Sequence, residues 1–214
     1  MTQTWSATER ADLAQTLLAA GPGAPTLCAG WQTQHLAAHL VLRDRTPWRM
    51  SPGRLESVAA TSADPQGYAA LVAQVAEGPG RLSPGYWFSE QMNLLELFVH
   101  SEDVRRAGPD GARSTEIGPD YAKALWKQFR LFSRMLLRPA PVGVVLVVTD
   151  GPRVVARKPR SGAGTVVVTG ELADVILFAF GRGTSTDLTF QGDDADVRAL
   201  LARFPGPGGA SSQA

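Results

Sequence analysis

Residues 134–151 read RMLLRPAPVGVVLVVTDG, and the hydrophobic period changes inside this stretch. Before Pro139 the apolar residues recur at helical spacing, whereas Val142 to Thr149 is a β-branched run that fits a buried strand. Pro139-Ala140-Pro141 separates the two, because proline lacks the amide donor that both structures need. Asp150-Gly151 then supplies turn residues for a hairpin into a second strand, Arg153–Arg157. The switch predicts an α+β chain, helices first and a small mixed unit after.

Upstream of the switch the sequence reads as helices. Ser6-Ala7-Thr8-Glu9 has capping-box form, and Gly21-Pro22-Gly23 ends the first helix. Thr33 is placed to cap a second, ending near Pro47. Further helices are predicted over about 64–77, 89–107 and 119–137, the last opening on Pro119. Residues 89–107 are apolar on most of their circumference, the mark of a helix buried on several sides. Downstream, a strand over 165–169, a helix over 172–180, a strand over 187–190 and a helix over 194–204 complete the small unit. The expected organisation is a helical bundle over 1–139, an α+β domain over 140–204 and a disordered tail over 205–214.

Composition narrows the function. With 21 Lys+Arg against 20 Asp+Glu, the net charge of +1 provides no general basic field, which predicts no nucleic-acid partner. No apolar run approaches the ~20 residues of a membrane span, and the opening MTQTWSATERADL lacks the pattern of a secretory signal. A soluble, cytoplasmic protein without membrane partners is expected. The single cysteine, Cys28, excludes an intrachain disulfide and a multi-cysteine zinc site, and reads as structural. Trp31, Trp48 and Trp87 read as core or pocket wall.

The chain has three histidines, and two lie in apolar helical stretches: His39 within Leu36–Leu42, and His100 following Leu94–Val99. Glu96 precedes His100 by four residues, so the two share one helix face. A carboxylate buried there without a partner would cost several kcal/mol, so Glu96 must be paired, protonated or metal-bound. Two imidazoles and a carboxylate converging between helices would form a three-ligand metal site with open positions, as catalytic zinc uses. Spacing alone leaves open an ordinary ion pair or satisfied core histidines. His35 and His39 form a competing i, i+4 pair, with His35 in a polar context. Asp103, one turn past His100, is placed to accept its second ring proton or to pair with Arg105 or Arg106. Arg43, Arg105 and Arg106 are candidates to hold an anionic cofactor or substrate, since arginine forks match carboxylates; Arg105 and Arg106 equally suit a helix C-terminus.

Two blocks carry a family resemblance. Leu27-Cys28-x-Gly30-Trp31-x-Thr33-x-x-Leu36-x-x-His39-Leu40, together with Asn93-x-x-Glu96-x-x-x-His100-x-x-Asp103-x-Arg105-Arg106, resembles the DinB-like superfamily. The nearer likeness is its mycothiol-dependent maleylpyruvate isomerase-like branch, in particular a metal-binding subgroup with the phrase F-V-H-x-E-D-V-R-R, here Phe98–Arg106. The resemblance covers nearly the whole chain. It implies a four-helix bundle, with an extra short helix, that binds a divalent metal through His39, Glu96 and His100. Zinc is the first expectation, with nickel or another ion as alternatives. It also implies a following sterol-carrier-like α+β domain packed over the bundle, which makes Arg182 a candidate catalytic anion clamp, with a surface arginine as the alternative reading; Asp103 is the other candidate catalytic residue. The chain departs from the pattern at His35, where relatives are expected to carry an acidic residue.

The implied activity is that of a thiol-dependent S-transferase or isomerase. Its partners would be a low-molecular-weight thiol, mycothiol or bacillithiol, and an electrophilic substrate. A metal-dependent hydrolase is the alternative enzyme, although the zincin spacing H-E-x-x-H is absent. A non-catalytic metal or small-ligand module is the third reading. Oligomeric state is not legible.

Overall fold

The computed structural model describes residues 5–80, 90–108, 111 and 117–207, with the side chains of 90–92 excepted. Trp87, Ser89, the Met92 side chain and residues 208–214 lie outside that description. Eight helices and four strands are present among the described residues, so the chain is α+β. Contacts divide it between Ile117 and Gly118.

The first unit is helical: α1 (Trp5–Ala20), α2 (Thr33–Arg45), α3 (Pro52–Thr61), α4 (Pro65–Glu77) and α5 (Glu90–Arg105). Helix α4 starts as its sequence dictates. The Asp64 carboxylate accepts from the amides of Gln66 and Gly67, and Pro65 occupies the first turn. At α2 the cap differs from the expected Thr33. Gln32 is the N-cap residue, its amide donates to His35 Nδ1 at 3.2 Å, and the Thr33 hydroxyl donates instead to Gly21 O at 2.6 Å. Ser6 likewise stands inside α1, which already begins at Trp5. Helix α3 had no sequence reading; its cap, Ser51 accepting from the Arg54 amide, is of an ordinary type.

Leu13, Leu17, Leu36, Leu40 and Leu97 are fully buried and join α1, α2 and α5 with Leu71, Val72 and Val75 of α4 in one core. Each such leucine contributes about 1.5–3 kcal/mol. Helix α5 is buried on several sides, as expected: Leu94, Leu97, Phe98 and Val99 exclude water, and so do Ser101, Glu102 and Asp103, while Glu96 is half-buried. Polar groups held that deeply must find partners, and this places the site.

The second unit runs α6 (Pro119–Leu136), β1 (Gly143–Val148), β2 (Arg153–Arg157), β3 (Thr165–Gly170), α7 (Leu172–Ala179), β4 (Leu188–Gln191) and α8 (Asp194–Arg203). The sheet order is β2-β1-β3-β4, with β1 and β3 parallel and the outer pairs antiparallel. Asp150, at φ 50°, turns the predicted β1–β2 hairpin. Val144, Leu146, Val166 and Val168 are fully buried, and α7, apolar over Val175–Phe178, packs on β1 and β3. Helix α6, read from sequence as the last of the bundle, makes its contacts with β2 and α7 of this unit. Gly206, in the expected tail, is buried. No described helix is long and apolar enough to cross a membrane.

Candidate metal centre

Helix α2 supplies His39 and, one turn on, Arg43; α5 supplies Glu96, His100 and Asp103. His39 Nε2 lies 3.5 Å and His100 Nε2 3.8 Å from the same oxygen, Glu96 Oε1. The two imidazole rings meet edge to face, centroids 5.6 Å apart. These separations exceed a good hydrogen bond. Two ligands each about 2.0–2.2 Å from a tetrahedral ion would stand about 3.4 Å apart, close to what is observed. The two nitrogens and the oxygen all lie within 4.8 Å of one another, and an N₂O donor set is one that zinc accepts. The residues therefore fit a divalent ion.

The other carboxylate oxygen is already engaged. Arg43 Nη1 stands 2.6 Å from Glu96 Oε2, a charge contact without hydrogen-bond alignment. Its Nε and Nη2 donate to Asp44 Oδ1 at 2.9 and 2.6 Å. Asp44 in turn pairs with Arg10 Nη1 of α1 at 2.8 Å, and that nitrogen also donates to Val75 O of α4. Charges alternate from α1 to the centre: Arg10, Asp44, Arg43, Glu96. Burial works against the charge on Arg43, but Glu96 and then Asp44 outweigh it and raise its pKa. Burial likewise opposes ionisation of Glu96, yet His100, His39 and Arg43 hold its carboxyl far below the ordinary range.

On the far side of His100, Nδ1 lies 3.0 Å from Asp103 Oδ2. The Cys28 thiol donates to the same oxygen at 3.1 Å. Burial would lower the His100 pKa; Asp103 first, then Cys28 and Glu96, raise it to about 10. Asp103 is thus placed as the acceptor that fixes the ring, the arrangement second-layer carboxylates give to metal-bound histidines. The Cys28 loop is tied to α5 by the Leu27 amide on Asp103 O at 2.9 Å. Trp31 of the same loop stacks at a tilt on His39, 5.2 Å between centroids.

Other expected site residues lie elsewhere. Arg105 donates to Thr16 of α1 at 2.8 Å, and Arg106 pairs with the fully buried Glu102 at 2.9 Å. His35 contacts the exposed Glu56 at 3.3 Å, besides its capping role, and belongs to no metal-competent cluster among the described residues. Arg182, in the second unit, donates to Phe180 O at 2.7 Å. Trp48, expected in the core or a pocket wall, is 67% exposed. A short helical turn at Pro47–Arg49, just past α2, carries it outward. The sequence reading missed Arg10 and Asp44, because an arginine and an aspartate on separate amphipathic helices read as solvated faces.

No family model matches the sequence, and no curated protein matches it. Among solved structures, a mutant form of the mycothiol-dependent maleylpyruvate isomerase aligns at TM-score 0.58 and 20% identity, over 87% of this chain and 90% of the other. A second crystal structure of that isomerase aligns at TM-score 0.52 and 19% identity over the same shares. The chain has the maleylpyruvate isomerase fold. That isomerase fold was the expectation drawn from the two motif blocks, and His39, Glu96 and His100 from those blocks converge here.

Proposed function

We propose that the protein binds one divalent metal ion, zinc first, through His39, Glu96 and His100, and serves a thiol-dependent isomerase or S-transferase reaction. The observation that carries this reading is the meeting of two imidazole nitrogens on one carboxylate oxygen, in a fold shared with a mycothiol-dependent isomerase. A divalent ion held there supplies positive charge that favours the thiolate form of a low-molecular-weight thiol near neutral pH. The chain's own residues fix the rest. Arg43 occupies Glu96 Oε2, so the carboxylate presents one oxygen, and Asp103 holds the His100 ring so that Nε2 faces that oxygen. Of the three proposed ligands one, Glu96, is a carboxylate, so a divalent ion with those ligands keeps net positive charge, which suits a thiolate and an anionic electrophile. Mycothiol and bacillithiol are the candidate thiols, and cytoplasm, where thiols stay reduced, is the compartment such chemistry requires.

Elemental analysis of the purified chain tests the site. One equivalent of metal is expected, falling to background in His39→Ala and His100→Ala. Conjugation assays with mycothiol, bacillithiol and glutathione on maleylpyruvate-like and simple electrophiles test the activity. Full metal retention in both histidine variants would refute the site. Metal binding without thiol-dependent turnover would leave a binding module.

A further inference from the structure

The net charge of +1 hides a strong segregation. Residues 121–160 hold nine of the 21 cationic residues and one acidic residue, Asp150. At 100° per residue, Lys123, Lys127, Arg130 and Arg134 fall within about 60° of one another around α6. All four are exposed, and among the described residues none has an ion-pair partner. Beside this stripe Leu131 and Met135 are 58% and 61% exposed, and Val155 of β2 is 47% exposed.

Between α6 and β2 lies a cleft of about 280 Å³, lined by Arg134, Val155, Ala156, Arg157 and Lys158. β2 is an edge strand, and its pairing with β1 skips Ala156: Val144 faces Arg157 while Val145 faces Val155. Such a bulge breaks the alternation of side chains and re-aims them. Arg157 is half-buried and, like Arg134 and Lys158, has no ion-pair partner among the described residues. No carboxylate lines the cleft, so the three positive charges there are unbalanced.

We infer that this cleft binds a small amphiphilic oxyanion, a phosphate or carboxylate bearing a short apolar chain. The headgroup is bound by Arg134, Arg157 and Lys158, and the chain lies along Val155, Leu131 and Met135. Guanidinium forks match either headgroup. At about 30 Å³ per water-sized group, the cleft holds on the order of ten non-hydrogen atoms, enough for a headgroup and about five methylenes, and the rest of a longer chain lies outside it along the exposed Leu131 and Met135. That size favours a monomeric ligand over the face of a bilayer.

The test is calorimetric titration of the full chain with decyl phosphate below its micellar concentration. One saturable site is expected. Inorganic phosphate and decanol should each bind at least about tenfold more weakly, since each offers only half of the recognition. Arg157→Gln and Arg134→Gln should weaken decyl phosphate by a similar factor, with the melting temperature of Arg134→Gln unchanged because its side chain is exposed. His100→Ala should retain binding, which separates this cleft from the metal centre. Undiminished binding in both arginine variants would overturn the proposal. So would equal affinity for decanol, loss of binding in His100→Ala, or association with anionic vesicles alone and none with the monomer.

Discussion

Replacing Arg43 by methionine tests whether the buried charges and the metal are alternatives for one another. Methionine keeps much of the apolar stem but removes the guanidinium that contacts Glu96 Oε2 at 2.6 Å and Asp44 Oδ1 at 2.6 and 2.9 Å. Asp44 retains Arg10, whereas Glu96 retains only the two imidazoles. Removing one partner of a buried pair costs about 3–5 kcal/mol, because the other charge stays buried and uncompensated. The Arg43 side chain is 17% exposed, which argues for the low end. At about 4 °C per kcal/mol for a domain of this size, the melting temperature in chelator should fall by about 12 °C. A bound divalent ion places new positive charge beside Glu96, so the deficit should shrink in saturating zinc. Equivalently, zinc should raise the melting temperature more in Arg43→Met than in the parent. Scanning calorimetry of both proteins, with chelator and with zinc, measures all four values. A deficit that is unchanged or larger with metal would refute the charge-compensation argument and leave Arg43 acting only by holding Glu96 in place.

His100 gives a pH dependence. Its proton is retained in the folded, metal-free chain up to about pH 10 and released on unfolding above about 6.5. The folded state therefore binds more protons in that window, and stability should fall as pH rises from 6.5 to 10, by at most about 1.4 kcal/mol per unit. Urea melts of chelated protein at pH 7, 8 and 9 check the slope, and Asp103→Asn should flatten it. His35→Ala should keep stoichiometric metal, because His35 pairs with Glu56 and caps α2; loss of metal in elemental analysis would reassign the ligands. Leu97→Ala empties a fully buried position in the first unit. It should cost about 2–5 kcal/mol in denaturant melts while leaving the metal stoichiometry intact.

What the sequence disclosed follows from how local each signal is. The α6-to-β1 switch, the span of α4, the β1–β2 hairpin and the burial of α5 on several sides are written within a few residues, and the element bounds stand within a residue or two of where the pattern placed them. Glu96 and His100 were legible as a pair because four residues close one helical turn. Their convergence with His39 needed the family likeness, since nothing in the spacing of one helix says what faces it. The Arg10–Asp44 link was not legible, because the two lie on separate helices and each alone resembles a surface charge; Arg43 stood out as an anion-binding candidate, but its partners, Asp44 and Glu96, did not. Thr33 misled because a hydroxyl at a helix start usually caps; here a longer-range acceptor, Gly21 O, takes its proton, and Gln32 with His35 closes the turn. The cationic stripe on α6 was hidden by a net charge summed over both units.

The central claim, a metal centre that binds a thiol, is tested most directly by titrating a low-molecular-weight thiol into the cobalt-substituted protein and recording its absorption spectrum. Sulfur entering the coordination of the ion should produce a near-ultraviolet charge-transfer band that saturates with thiol, along with a shift of the visible bands. Mycothiol should give the band, and His100→Ala should not. A spectrum unchanged at saturating mycothiol and bacillithiol, on protein holding one equivalent of cobalt, would contradict the account.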